Sequence, residues 1–263
     1  MRILLTGASG LVGAAFARAA ARRGHAVTGI VGGFTGELPG VATRRALDLC
    51  DEATVTASVP AEFPEAIVNA AAVSVPEACD ADPARAKTLD VALPSNLARL
   101  VRLSSEQAFD GTRTTPYAAG DLPSPVNLYG RQKIAGERAV QALAPEFSVS
   151  VRAPLPMGNS PGGRRSTHGR LFADRAAGRA AKLYTDEYRR TCTAENLAAA
   201  MLEPCERRDV RGVVHRAGAE LLSRHEPGLR ARVGLLKTRP QTIAEQLAEL
   251  RVPPASVARA AGA

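Results

Sequence analysis

The run Ile3-Leu4-Leu5-Thr6-Gly7-Ala8-Ser9-Gly10-Leu11-Val12-Gly13 decides the fold. Its three leading apolar residues predict a short buried strand. The glycines at 7, 10 and 13 then predict a tight turn into an alanine-rich helix that continues to about Arg23. Gly24 closes that helix, because glycine takes the left-handed conformation of a helix C-terminus without steric cost. Ala26 to Val31 reads as the next strand. Strand, glycine-rich turn, helix and strand make the repeating unit of a doubly wound parallel α/β sheet of Rossmann type. At such a turn Gly7, Gly10 and Gly13 allow the backbone to approach a pyrophosphate, which rests on the first N–H groups of the helix. Ser9, Leu11 and Val12 belong to the same expected dinucleotide cradle.

Outward from this unit, further strands are expected within Val41 to Leu49, Ala66 to Ala72, Val101 to Ser105 and Val149 to Arg152. A helix from about Gly130 to Leu143 separates the last two, and Val210 to His215 is a late strand. Asp48 and Leu49 at one strand end, and Ala70, Ala71 and Ala72 at another, fall on the edge where α/β sheets bind ligands. Asp48-Leu49 is placed to reach the adenine. The composition shifts in the glycine-rich loop Met157 to Ser166. Residues 1–157 are therefore expected to form the nucleotide-binding domain. Residues 158–263 are expected to be mainly a small substrate-binding lobe, with about 190–216 returning to the first domain. A tail helix from about Gln241 and a turn at Pro253-Pro254 complete the reading.

Two further features carry chemistry. Ser104-Ser105 ends a strand at the ligand edge, where a hydroxyl can donate to a carbonyl oxygen that gains charge in a transition state. Tyr129 and Lys133 are four residues apart on a helix and share a face. A neighbouring ammonium stabilises phenolate and makes a tyrosine a usable proton donor or acceptor near neutral pH. An acid ending the second strand would hold the ribose hydroxyls of NAD. Here that strand ends Ile30-Val31-Gly32-Gly33 and the first acid is Glu37, so NADP(H) is favoured while NAD(H) is still accommodated.

The chain has 263 residues, a net charge of +8 and a pI of about 9.8. Its arginines are scattered in doublets such as Arg44-Arg45 and Arg189-Arg190, with no basic stripe, and aromatics are 4% with no Trp. That pattern suits phosphate-bearing small molecules and excludes nucleic acid as the expected partner. Cys50, Cys79, Cys192 and Cys205 have no Cys-x-x-Cys spacing, which argues against a metal site and a disulfide framework. With no signal peptide and no apolar run of membrane-spanning length, a soluble cytoplasmic protein is expected.

Taken in order, these motifs resemble the extended short-chain dehydrogenase/reductase superfamily. They are Thr6-Gly7-x-x-Gly10-x-x-Gly13, Asn69-Ala70-Ala71-Ala72, Ser104-Ser105 with Phe109-Asp110-Gly111, and Pro123-x-Pro125-x-Asn127-x-Tyr129-Gly130-x-x-Lys133-x-x-Gly136-Glu137. The likeness continues through Arg152, a helix from Arg190 to Ala200, and Gly212-Val213-Val214-His215-x-x-Gly218 with Ser223-Arg224. Within the superfamily the chain looks most like the dTDP-4-dehydrorhamnose reductase branch. The resemblance implies hydride transfer from a nicotinamide cofactor to a keto carbon, typically C4 of a nucleotide-linked 4-keto-6-deoxysugar. It makes Ser105 the carbonyl clamp, Tyr129 the proton donor and Lys133 the holder of the nicotinamide ribose. Glu106, Gln107, Leu155 and Arg190 would face the nucleotide sugar, and a homodimer is the superfamily default.

The chain also departs from the pattern. Glu106 and Gln107 stand where an acid and a tyrosine are usual, Ala119 replaces an acid, and Ala153-Pro154-Leu155-Pro156-Met157 lacks the usual aromatic. Asp90 takes the place of an asparagine, and the connection from Leu93 to Val101 is short. Two alternatives follow from the resemblance. One is a 4,6-dehydratase or epimerase that uses Glu106 as an extra acid/base on tightly held NAD. The other is a non-catalytic regulatory subunit resembling the β subunit of methionine adenosyltransferase.

Overall fold

The computed structural model describes residues 1–74, 76–91, 99–163, 166–179, 183, 187–223 and 225–226. The short connection after Leu93, Arg224 and the tail helix from Gln241 with Pro253-Pro254 lie outside the described residues.

In chain order the elements are β1 (Arg2–Thr6), α1 (Leu11–Arg22), β2 (Ala26–Val31), β3 (Thr43–Ala46), α2 (Glu52–Ala61) and β4 (Ala66–Asn69). Then come α3 (Pro76–Ala81), α4 (Pro83–Val91), β5 (Arg99–Ser105), a 3₁₀ turn (Glu106–Ala108), α5 (Leu128–Leu143) and β6 (Ser148–Ala153). The chain continues through β7 (Pro156–Met157), α6 (Thr167–Ala176), β8 (Tyr188–Arg189), β9 (Cys192–Thr193), α7 (Ala194–Glu206), β10 (Gly212–His215) and β11 (Leu222–Ser223). Seven strands form one sheet in the order β10-β6-β5-β4-β1-β2-β3, and its neighbouring strands all pair in parallel. The expected Rossmann-type sheet is present.

The period of two along β1 sets the layers. Ile3 and Leu5 pack with Phe16 of α1 and with Leu197 and Met201 of α7. Leu4 faces the other way, onto Ile30, Val55, Ile67, Leu100 and Val140. Leu5, Phe16, Leu197 and Met201 are each fully buried. Burial of that kind stabilises by about 1.5–3 kcal/mol per large side chain relative to exposure. Arg99, although charged, is also buried: its guanidinium donates to the carbonyls of Pro204 (3.0 Å), Arg207 (3.2 Å) and Val210. It thereby satisfies backbone acceptors at and just beyond the C-terminal end of α7, which no intrahelical donor can reach.

Three boundaries differ from the sequence reading. β3 ends at Ala46 and β4 at Asn69, so Asp48-Leu49 and Ala70 to Ala72 lie beyond their strands. The final ladder bonds are Leu47 N to Val31 O and Ala70 N to Thr6 O, after which the chain leaves the sheet. The helix expected from Arg190 starts at Ala194, because Cys192-Thr193 pairs with Pro156-Met157 and the Thr193 hydroxyl then caps Asn196 N at 3.1 Å.

Candidate functional site

The C-terminal ends of β1, β2, β4, β5 and β6 open onto one cleft of ≈ 930 Å³. Gly7, Ser9, Gly10, Leu11 and Val12 line its first wall. Gly7 has φ +67°, and a Cβ there would lie 2.7 Å from the Ala70 carbonyl oxygen, so a side chain would collide with the opposite wall. α1 starts at Gly10 with no side-chain cap and no acid in its first turn. The first turns of α5 and α7 are by contrast capped by Asn127 and Thr193. The α1 start therefore leaves its N–H groups for an anion.

Gly13 does not line the cleft. A Cβ there would overlap the Gly7 carbonyl oxygen, so this glycine acts from behind by letting α1 close onto the turn. Thr6 Oγ1 donates to Asn69 Oδ1 at 2.8 Å, and Asn69 Oδ1 accepts from Ala71 N at 3.1 Å. These bonds hold Ala70, Ala71 and Ala72 against the glycine turn, and all three residues line the cleft with Asp48 and Leu49. Gly32 and Gly33 also line it, with open space where a Cβ would be.

Across the cleft, Ser105 ends β5 and is 5% exposed. Its Oγ accepts from Gln107 N at 3.2 Å, which leaves the hydroxyl proton available for donation to a ligand. Asn127 Oδ1 accepts from Gly130 N at 2.7 Å and starts α5. A Cβ on Gly130 would overlap the Gln107 carbonyl oxygen, so only glycine lets the helix start sit on the 3₁₀ turn. This packing brings Tyr129 and Lys133 into the same cleft as Ser105. The Lys133 side chain is buried, with Nζ 5.4 Å from the centre of the Tyr129 ring.

His215 sits beside Arg152 and edge-on to the Phe109 ring. Burial, with the Arg152 guanidinium beside it, pushes its pKa down to about 4, so the imidazole is neutral near pH 7. It does not line the cleft. The four cysteines are free thiols, and burial pushes Cys192 and Cys205 up to about 12, which removes them as thiolate nucleophiles.

Glu106, Gln107 and Leu155 line the remaining part of the cleft, and Arg190 does not. The Arg190 guanidinium donates to the Ala219 carbonyl at 2.8 Å, and its backbone carbonyl accepts from Gly218 N. Its neighbour Arg189 faces the cleft instead, 3.3 Å from Glu106 and 2.8 Å from Glu187. The arginine doublet was visible in the sequence. Which member faces the cleft depends on packing: Arg189 ends β8, which pairs with β11, whereas Arg190 lies just beyond that strand and is held by Gly218 and Ala219. Sequence reasoning also missed Ser166, Thr167 and Arg170 on the cleft wall. Ser166 Oγ caps Gly169 N at 2.8 Å and starts α6, a Ser-x-x-Gly signal hidden in a glycine- and arginine-rich loop. Among the described residues no helix is long and apolar enough to cross a membrane.

Comparison with known proteins matches residues 1–256 to the family described as RmlD substrate binding domain. A protein of Mycolicibacterium smegmatis named dTDP-4-dehydrorhamnose reductase is 31% identical over 86% of this chain and 66% of its own length. The methionine adenosyltransferase 2 subunit beta of Xenopus laevis is 30% identical over 86% of this chain and 69% of its own. The chain thus spans about two thirds of the length of these curated relatives. Among solved structures, a hypothetical dTDP-4-dehydrorhamnose reductase from Sulfolobus tokodaii superposes with a TM-score of 0.72 at 26% identity, covering 92% of this chain and 85% of that one.

Proposed function

The chain belongs to the family described as RmlD substrate binding domain, and on that premise we propose that it is an NAD(P)H-dependent reductase of a nucleotide-diphosphate 4-keto-6-deoxysugar. The observation that carries the reading is the meeting of Ser105, Tyr129 and Lys133 in one cleft with the Gly7–Gly10 turn.

The residues present fit a dinucleotide. The uncapped start of α1 and the side-chain-free approach at Gly7 suit a pyrophosphate. Asp48 and Leu49 would flank the adenine, and Ala70 to Ala72 the middle of the cofactor. Among the described residues no acid lies in the open space at Gly32 and Gly33, which supports NADP(H) as the favoured form.

When bound, a reduced dinucleotide would supply a hydride for the keto carbon. Ser105 donates a hydrogen bond to the keto oxygen and stabilises the charge that grows there. Tyr129 delivers its phenolic proton to the same oxygen, giving the hydroxyl product. Lys133 would hold the nicotinamide ribose and stabilises the phenolate left behind. Arg189 and Arg170, on the lobe side, supply positive charge for the sugar diphosphate, while Gln107 and Leu155 bound the sugar.

The ion pair between Glu106 and Arg189 weighs against the dehydratase and epimerase readings, in which Glu106 would be a free acid/base. The regulatory reading draws on the second curated relative, but gives no account of a serine, tyrosine and lysine converging on the cofactor turn.

Incubation of the purified protein with NADPH and dTDP-4-keto-6-deoxyglucose tests the proposal through loss of nicotinamide absorbance. The reductase reading expects turnover that Tyr129→Phe abolishes. Tight cofactor binding without turnover on any keto sugar would establish the regulatory reading instead. Copurified NAD with no net redox change would establish a dehydratase or epimerase. The homodimer is part of the proposal and is read by light scattering.

A further inference from the structure

Glu137 lies on α5 one turn beyond Lys133 and two turns beyond Tyr129, so the three share a helical stripe. Its side chain is buried and does not line the cleft. The carboxylate accepts from Arg152 Nε at 2.9 Å and from Arg152 Nη2 at 2.7 Å, and Ser104 Oγ donates to it as well. Ser104 and Arg152 are register partners on β5 and β6, so Glu137 is seated on a single rung of the sheet, and Ser105 occupies the next rung.

The far side of Arg152 is fixed too. Its guanidinium lies 5.0 Å from the centre of the Phe109 ring, and its Nη1 is 3.5 Å from His215 Nε2. Phe109 in turn stacks on Tyr117 at 4.3 Å. Next to Glu137, a Cβ on Gly136 would overlap the Arg102 guanidinium, so α5 rests on a second buried arginine of β5.

A buried ion pair is a weak source of stability, since apolar residues of similar volume often do as well or better. What a forked arginine–carboxylate contact adds is direction. Apolar packing would let a helix slide or roll by a fraction of an ångström; two arms of a fork and a hydroxyl fix both height and rotation.

We propose that Glu137 is a positioning residue for the reaction: clamped between Ser104 and Arg152, it sets α5 so that Tyr129 and Lys133 meet Ser105. The proposal rests on the reductase reading for its kinetic consequence only.

The test is the double variant Glu137→Met/Arg152→Met, which removes the pair without leaving a lone buried charge. The positioning role expects a folded protein with a cooperative melt and kcat reduced about 100-fold, the cost of displacing a catalytic group by about 1 Å. KM should change by less than about threefold, because ground-state binding does not use the lost geometry. A folded double variant with kcat within about threefold of wild type would overturn the proposal. Should the double variant not fold, Ser104→Ala removes one arm and keeps the ion pair. It is expected to lower kcat about tenfold, less than the double variant because a smaller displacement of α5 misplaces the catalytic groups less, and an unchanged kcat overturns the idea.

Crystal structures supply a readout that does not depend on turnover. Displacement of Tyr129 Oη from Ser105 Oγ by about 1 Å in either variant supports the proposal, and superimposable sites refute it. If the wild-type protein reduces no keto sugar, the reductase reading fails and this displacement still decides the role of Glu137.

Discussion

Asn127 and Gln107 are joined by a hydrogen bond from Asn127 Nδ2 to Gln107 Oε1 at 2.6 Å. The same asparagine caps α5 through Gly130 N, so one side chain ties the turn after Ser105 to the helix that carries Tyr129. The serine and the tyrosine come from segments more than twenty residues apart in the sequence, and this bond holds their backbones in one arrangement.

Two substitutions separate the cap from the tether. Asn127→Ala removes both and should cost about 1 kcal/mol of stability. In a chain of this size that lowers Tm by about 2–4 °C. Asn127→Ser keeps a capping acceptor for Gly130 N and is too short to reach Gln107. It should melt close to wild type yet show a lower kcat, and equal activity of Asn127→Ser and wild type would show that the tether does not matter.

Tyr129→Phe tests the proposed proton donor. The ring and its position beside Lys133 remain, so the variant should still fold and bind NADPH. Turnover of the keto sugar should fall by about 10²–10⁴, the usual worth of a positioned general acid. Steady-state kinetics with a fluorescence titration of NADPH distinguish this from loss of binding.

Gly13 and Gly32 should respond oppositely to alanine. A Cβ on Gly13 overlaps the Gly7 carbonyl oxygen, so α1 must shift, at a cost of about 1–3 kcal/mol and with weaker cofactor binding. A Cβ on Gly32 meets no protein atom within 4 Å, and Gly32→Ala should be nearly silent in stability. Thermal melts and calorimetric titration measure the pair.

The two adjacent arginines should separate in kinetics. Arg189→Ala is expected to raise KM for the nucleotide sugar about tenfold or more, because it removes a cleft-facing cation. Arg190→Ala should leave KM near wild type and lower stability instead, since its guanidinium serves the Ala219 carbonyl. A KM effect confined to Arg190 would reverse the assignment.

His215 predicts a stability change with pH. Its folded pKa of about 4 lies below its ordinary value of 6.5, held there by burial and by Arg152. Between these values the unfolded chain takes up a proton that the folded one does not, so stability is full above pH 6.5 and falls as pH drops towards 4. The loss should be on the order of 1–3 kcal/mol. Asp110, whose carboxylate is held below its ordinary 3.8 chiefly by the Tyr117 hydroxyl, loses its contribution only at still lower pH. Urea midpoints measured from pH 7 to 4 should therefore drop in wild type and drop less in His215→Asn.

The glycine turn, the succession of the main strands along the chain, and the lie of Ser105, Tyr129 and Lys133 on the cleft were legible because each is written in a local pattern. Strands repeat every two residues, helices every 3.6, and a Gly-x-x-Gly turn needs no distant partner to be recognised. The ends of β3 and β4 were overread, because a strand stops where its neighbour stops bonding to it, as at Leu47 N to Val31 O. Gly13, read from its motif as part of the cofactor-binding turn, lies behind the cleft wall, where α1 packs on Gly7.

By itself, the sequence determined the parallel α/β sheet, the glycine turn between β1 and α1, and a tyrosine and lysine one helical turn apart, since short segments encode these through backbone conformation and side-chain spacing. Only the tertiary structure decided that Arg189 rather than Arg190 faces the cleft, that Glu106 is held in an ion pair, and that Glu137 sits on Ser104 and Arg152. Each of these depends on which way a side chain turns when segments many residues apart pack together. That direction is fixed by burial, charge pairing and strand register across the whole molecule, and no local pattern contains it.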